Sequence, residues 1–262
     1  MIKVEKDFSN IPVVLKKENR KEAFNHNVSL GYYDDAHNRY KVTSVQNRLN
    51  KIYHLKCAYC EQKLLDAPKH IEHYRPKNIY YWLAYSWDNL LLSCASCNSK
   101  KSDNFKTNAS AVVYNNESFE TIDDLGDIYD EMEEPFVVNP EKEDVLELIL
   151  YRKNAEVFSN DVRVSHTIES ACGLNRKELL EKREEIINDF IFKIEEHYTL
   201  FQKYQDITRF LPEVRAFILK VSRESEFYSL RYYILHHIEE FFENKNIQTI
   251  LIRLIEKVQN EE

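Results

Sequence analysis

Two Cys-x2-Cys pairs, Cys57/Cys60 and Cys94/Cys97, stand 33 residues apart and constrain this chain more than any other feature. Each pair places two thiolates on one tight knuckle, and two knuckles close a tetrahedral four-sulfur shell around Zn²⁺. Such a shell has no open position and does no chemistry. Its work is to pin together the ends of an intervening segment too small to hold itself by hydrophobic burial. The spacing exceeds that of a usual zinc ribbon and leaves room for an inserted element. A redox reading would need one reactive pair on a thioredoxin-like helix, and here there are two pairs without that context. The fifth cysteine, Cys172, lies close to an apolar helix start and is expected to be a small buried hydrophobe.

Hydrophobic residues make up 43% of the 262 and aromatics 13%, which specifies a folded protein of one large domain or two small ones. Three glycines, Gly31, Gly126 and Gly173, are too few and too scattered for a Gly-rich phosphate loop, so no nucleotide is expected by that route. The sequence has no apolar run of about 18 residues, and its start, MIKVEKDFSN, lacks the basic-then-apolar layout of a secretory signal. A cytoplasmic location without membrane association is expected, where cysteines stay reduced and bind metal rather than form disulfides. The net charge of −8 argues against a freestanding nucleic-acid binder. Residues 51–106, however, hold nine Lys/Arg against five acids, a local balance of +4, and leave −12 elsewhere. A basic island in an acidic chain suits a local phosphate-binding surface, with further affinity supplied by a partner.

The segment between the knuckles predicts a ββα arrangement. Residues 69–75 read as a strand ending at Pro76, residues 90–93 as its partner, and residues 98–103 as a short helix springing from the second knuckle. Glu72-His73, then fifteen residues to Asn89 and eight to Asn98, resembles the HNH nuclease motif, including the CxxC pairs that many HNH proteins use as a zinc brace. The resemblance implies that Glu72 and Asn98 are ligands of a catalytic divalent ion. It makes His73 the general base that activates water for in-line attack on a phosphodiester, and Asn89 the residue that fixes the loop and the imidazole. The chemistry agrees: a neutral histidine, with an ordinary pKa of about 6.5, can take a proton from water at pH 7. Two oxygen donors favour Mg²⁺ or Mn²⁺ and leave positions for water and phosphate oxygens. Asn98 stands where many relatives have His, and Glu72 where many have Asp or His, which bears on the choice of metal. Arg75, Lys77, Lys100 and Lys101 flank the motif as candidate phosphate contacts, each weighed against a solvated surface charge. His70 is expected at the surface, and the aromatic run Tyr80, Tyr81, Trp82, Tyr85 and Trp87 is expected to pack the ββα unit against its neighbours.

The stretches KCAYCEQKL, IEHYRPK and YYWLAYSWDNLLLSCASCNSKKSDNF, the NPE at 139–141 and the pattern from Thr167 to Arg183 together resemble the PtuB-type HNH proteins of bacterial Septu and retron-associated defence systems. The resemblance spans about residues 39–190. It implies an effector in a hetero-oligomer with a PtuA-like ABC-type ATPase, cutting DNA or RNA after phage infection. The rival from another class is a non-catalytic zinc module that only docks a partner or nucleic acid.

The expected fold is α+β and mostly helical. Residues 1–56 are read as an N-terminal arm and helix, with Ile11 to Leu15 lying across the core, His26 and His37 at the surface, and a helix over 38–56 carrying Val42, Val45, Leu49, Ile52 and Tyr53 on one stripe. Residues 57–110 form the HNH module. Residues 111–174 are a mixed connecting region, with a solvated acidic loop over 117–134 and a small hairpin near 146–158. Residues 175–262 are helical: a long amphipathic helix over 175–204, then helices near 213–221, 224–243 and 246–259, with His236 and His237 in a packed helix rather than a metal site.

Overall fold

The computed structural model describes residues 1–260. The chain is mostly helical, with two small two-stranded antiparallel sheets, and divides into two units: residues 1–148 with 159–174, and residues 149–158 with those from Asn175 onward.

The first unit is built around the expected ββα element. Strand β1 (Lys69–His73) pairs antiparallel with β2 (Leu90–Cys94), with Ile71 opposite Leu92 and His73 opposite Leu90. Leu90, Leu91 and Leu92 are wholly buried, and each contributes about 1.5 to 3 kcal/mol of hydrophobic stabilisation. Helix α3 (Ala95–Lys101) starts at once from β2, with the Cys94 sulfur accepting the Cys97 N–H at its first turn. The brace helix forms as α2 (Thr43–Ile52), burying Val45 and Leu49. It stops short of residue 56 because His54 and Leu55 adopt left-handed backbone, which turns the chain into the first knuckle.

Two elements of this unit differ from the sequence expectation. Helix α1 (Lys17–Leu30) occupies a stretch with no apolar period, because the face it buries consists of Arg20, Ala23, Phe24 and Asn27, half of it polar. Gly31 caps it in the left-handed conformation. The acidic segment is not a solvated loop either. It folds as α4 (Gly126–Glu133), with Tyr129 and Glu133 buried, since Glu133 meets partners that compensate its charge. Helix α5 (Val162–His166) runs on into a π-helical turn at Thr167–Ala171, where the Thr167 hydroxyl accepts the Val138 N–H, and Cys172 just beyond is fully buried as expected.

The second unit holds the hairpin β3 (Leu150–Tyr151) and β4 (Val157–Phe158), shorter than the sequence suggested. The sequence had grouped it with the connecting region. Here it belongs with the helices, Tyr151 sharing a hydroxyl hydrogen bond with Ser229 at 2.7 Å. The long helix is α6 (Lys177–Tyr204), burying Leu179, Arg183, Ile187, Phe190 and Ile194. Arg183 is buried because its guanidinium donates to the Ala155 carbonyl at 2.7 Å. Leu180, Ile186 and Phe201, expected on the same face, are only half-buried. After α7 (Leu211–Ile218), the expected helix over 224–243 is split into α8 (Tyr228–His236) and α9 (Ile238–Phe241). Phe227 in left-handed backbone delays the start, and His237 leaves the helical region between the two. His236 and His237 stack on Tyr232 and Tyr233. Helix α10 (Lys245–Gln259) closes the unit with a continuous apolar stripe from Ile247 to Val258.

Candidate functional site

The two cysteine knuckles meet. The sulfurs of Cys57, Cys60, Cys94 and Cys97 all lie within 4.8 Å of one another, and those of Cys60 and Cys94 are 3.8 Å apart. A tetrahedral ion with Zn–S bonds of about 2.3 Å demands sulfur–sulfur edges of about 3.8 Å, so the cluster can hold zinc. All four cysteines are buried and none forms a disulfide. The first knuckle is tied to β2 by the Ala58 N–H, which donates to the Leu92 carbonyl at 2.8 Å. Ligand geometry and sheet register therefore depend on one another.

A cavity of about 550 Å³ runs along β1 to its far end and is lined by Tyr40, Glu72, His73, Lys77, Asn98 and Asp103, among others. Glu72, His73 and Asn98 thus share one wall, while Asn89 stands behind it, 4% exposed. The His73 Nε2 lies 3.0 Å from the Ala84 carbonyl oxygen. A carbonyl can only accept, so Nε2 carries the proton and Nδ1 keeps its lone pair. Burial pushes the imidazole pKa down to about 3; the bond to Ala84 opposes this, and the charges of Lys77 and Lys101 add to it. The ring therefore stays neutral at working pH.

Asn89 fixes the loop that carries Ala84. Its amide donates to the carbonyls of Arg75 at 3.0 Å and Leu83 at 3.2 Å, and its oxygen accepts the Arg75 N–H at 2.7 Å. The residue next to Ala84 is thus tied to the end of β1, and the imidazole's acceptor is tied with it.

Glu72 is buried, and burial raises its pKa while the Lys101 charge holds it down. The Lys101 ammonium donates to Glu72 Oε1 and to the His73 carbonyl, both at 2.8 Å. Glu72 Oε2 and the Asn98 side chain form no hydrogen bond among the described residues, and both residues border the cavity. Two unengaged oxygen donors at one open wall fit a hard divalent cation such as Mg²⁺ or Mn²⁺.

The four flanking cations separate into two kinds. Lys101 is fully buried against Glu72, so it is not a phosphate contact. Arg75 is also corrected: it is 3% exposed, with its guanidinium on Glu133 at 3.0 and 3.1 Å and on Asp130 at 2.7 Å. Both cations are buried because each compensates a carboxylate that would otherwise be desolvated alone. Lys77 borders the cavity half-buried, donating to the Tyr40 hydroxyl at 2.8 Å and lying over the Tyr33 ring at 4.0 Å, and Lys100 is exposed. The aromatic run packs as expected: Tyr80 and Trp82 form edge and tilted ring contacts, and the Tyr80 hydroxyl donates to Glu133 at 2.7 Å.

Sequence reasoning missed Tyr40, whose ring packs edge-on against His73 at a centroid distance of 4.6 Å, and the acids Asp130 and Glu133 behind Arg75. None of them lies in the motif spacing. Only the unexplained acidic density of 117–134 pointed toward the latter pair.

This combination of a ββα element, a four-thiolate brace and a Glu-His wall defines a class. Residues 57–104 match the HNH endonuclease family model, and the chain carries an HNH module there. The chain is also similar to PtuB proteins. It is 31% identical over 169 residues to Septu protein PtuB of Bacillus mycoides (strain KBAB4), covering 59% of this chain and 54% of that protein. It is 48% identical over 48 residues to Septu protein PtuB of Bacillus thuringiensis, covering 18% of this chain and 19% of that protein. The chain thus spans about half the length of the first of these relatives. No helix among the described residues is long and apolar enough to cross a membrane.

Proposed function

We propose that this chain is a metal-dependent HNH endonuclease that hydrolyses nucleic-acid phosphodiester bonds, acting in the cytoplasm as the effector of an anti-phage defence complex with a PtuA-like ABC-type ATPase. The observation that carries the chemistry is the His73 imidazole, neutral and held through Nε2 on the Ala84 carbonyl, on the same cavity wall as Glu72 and Asn98. Nδ1 takes the proton of the attacking water. Asn89 keeps the imidazole aimed by fixing the loop on which Ala84 sits. Glu72 and Asn98 hold Mg²⁺ or Mn²⁺, which when bound stabilises charge on the phosphate and the leaving oxygen. Cys57, Cys60, Cys94 and Cys97 hold zinc as a brace. Lys77, at the cavity, and the exposed Lys100 are the two remaining candidate phosphate contacts. The nuclease module is assigned to residues 57–110, and the complex is expected to be hetero-oligomeric.

The test is cleavage of DNA and RNA by the assembled complex with Mg²⁺ or Mn²⁺. His73→Ala should lower the rate about 10²- to 10⁴-fold, as loss of a general base does, with the fold and zinc content intact. If this variant cuts at the wild-type rate, His73 is not the base. If wild type with its ATPase cuts neither nucleic acid, the enzyme reading falls and docking remains.

A further inference from the structure

We infer that this site acquires its divalent ion together with the nucleic-acid phosphate rather than ahead of it, because Lys101 already supplies the cation that Glu72 requires. The inference rests on the reading of Glu72 and Asn98 as the ion's oxygen donors.

The Lys101 side chain is fully buried and its ammonium is committed twice, to Glu72 Oε1 and to the His73 carbonyl. It is also fixed at its root. Lys101 ends α3, a seven-residue helix whose first turn contains Cys97 and is capped by Cys94, so the thiolate cluster sets where the lysine backbone stands. The ammonium has no solvent to move into, and its departure would leave both the carboxylate oxygen and the carbonyl without their donor. It therefore remains when an ion arrives.

The charge around the cavity then decides the order of binding. Lys101 cancels the charge of Glu72, while Asn98 and the imidazole are neutral. Asp103 borders the cavity with its carboxylate held by the Asn78 amide at 2.9 and 3.1 Å, and the cations Lys41, Lys69 and Lys77 border it too, Lys41 being paired with Asp35. Counting Lys101 with the side chains that line the cavity, a dication entering the free protein thus meets oxygen donors that carry no net negative charge. Oxygen ligands bind hard cations largely through charge, so affinity in this state is weak. A phosphodiester adds the missing negative charge and further oxygen donors at the same wall, and its own approach is favoured by the rim lysines. Linkage requires the effect to be reciprocal: the ion must tighten the strand by the factor by which the strand tightens the ion.

The experiment measures Mn²⁺ binding to the full-length chain by electron paramagnetic resonance, with Glu72→Gln marking which signal belongs to this site. On free protein, Lys101→Met should tighten the Glu72-dependent site at least about tenfold over wild type. In the His73→Ala background, which blocks cleavage, adding a DNA or an RNA oligonucleotide should tighten Mn²⁺ by a similar factor, and Lys101→Met should shrink that gain. Should Lys101→Met fail to fold, Lys101→Gln takes its place, and the oligonucleotide comparison needs neither variant. Equal Mn²⁺ affinity in wild type and the Lys101 variant, or with and without a bound oligonucleotide, overturns the inference. If no form shows Glu72-dependent Mn²⁺ binding, the donor assignment itself falls and takes the inference with it. If Lys101→Met tightens Mn²⁺ yet no oligonucleotide binds, joint acquisition of ion and phosphate is overturned and only the opposition of the lysine to the ion stands.

Discussion

The two ends of the ββα unit are held in place by opposite means. The cysteine end is self-contained: four like donors, all between residues 57 and 97, converge to within 4.8 Å behind a closed, buried shell. The cavity end is open and borrows its support. Glu72 depends on Lys101 of α3, His73 on the Ala84 carbonyl and the Tyr40 ring, and Arg75 on Asp130 and Glu133 of α4. Tyr40, Asp130 and Glu133 all lie outside the stretch that matches the HNH family. A sealed site with identical ligands needs only local geometry. An open site must hold buried charges beside solvent, and each such charge needs a partner from wherever the fold can supply one.

The largest effect should come from breaking the self-contained end. Cys94→Ser removes one thiolate and the sulfur that caps α3, and structural zinc sites of this kind contribute on the order of 10 kcal/mol to their modules. The variant should lose zinc, measured as metal content, and the thermal transition of the first unit with it. If Cys94→Ser kept an ordered module, the cavity end would be holding itself together and the contrast drawn above would be reversed.

A smaller loss tests the borrowed support. Arg75→Met leaves the wholly buried Glu133 without its guanidinium, although the Tyr80 hydroxyl and the Val112 N–H still donate to it at 2.7 Å. Breaking a buried pair costs about 3 to 5 kcal/mol, and the surviving donors place this case near the lower end. Chemical denaturation should show the loss, and adding Glu133→Gln should recover part of it, since the stranded charge is then gone. A change below about 0.5 kcal/mol would return Arg75 to the role of a surface cation.

The same contrast explains what could be read from the sequence. The ββα element was legible because its strands alternate or run apolar between clear turns, and the zinc cluster because ligand spacing is a local property. Lys101 and Arg75 were legible as cations near the motif but not as buried ones, since burial is decided by partners distant along the chain. Helix α1 escaped because Arg20 and Asn27 face inward with Ala23 and Phe24, which erases the apolar period. Helix α4 looked like a solvated loop because Glu133 reads as surface charge until Arg75 and Tyr80 are placed beside it. The late start of α8 and its split from α9 depend on backbone angles at Phe227 and His237 respectively, residue types that carry no turn signal.

The smallest expected effect concerns pH, and it separates the two ends by a stability measurement alone. His73 has a folded pKa of about 3, below the value of about 6.5 expected in the unfolded chain. The unfolded state therefore takes up this proton first as pH falls. The stability contributed by the neutral, buried ring is complete above about pH 6.5 and drains away toward pH 3. Linkage at 1.36 kcal/mol per unit puts the loss from this group at about 2 kcal/mol by pH 5. His73→Gln, which keeps a polar side chain and cannot titrate, should lack that limb. Denaturant midpoints at pH 7 and pH 5 would show the wild type falling more steeply than the variant. Parallel curves would mean that the imidazole is solvated in the native protein and that burial is not what keeps it neutral. The thiolate cluster offers no such limb in this window while zinc is bound, so a steep loss retained in His73→Gln would trace to metal release at the cysteine end and would be recognised by the zinc that appears in solution.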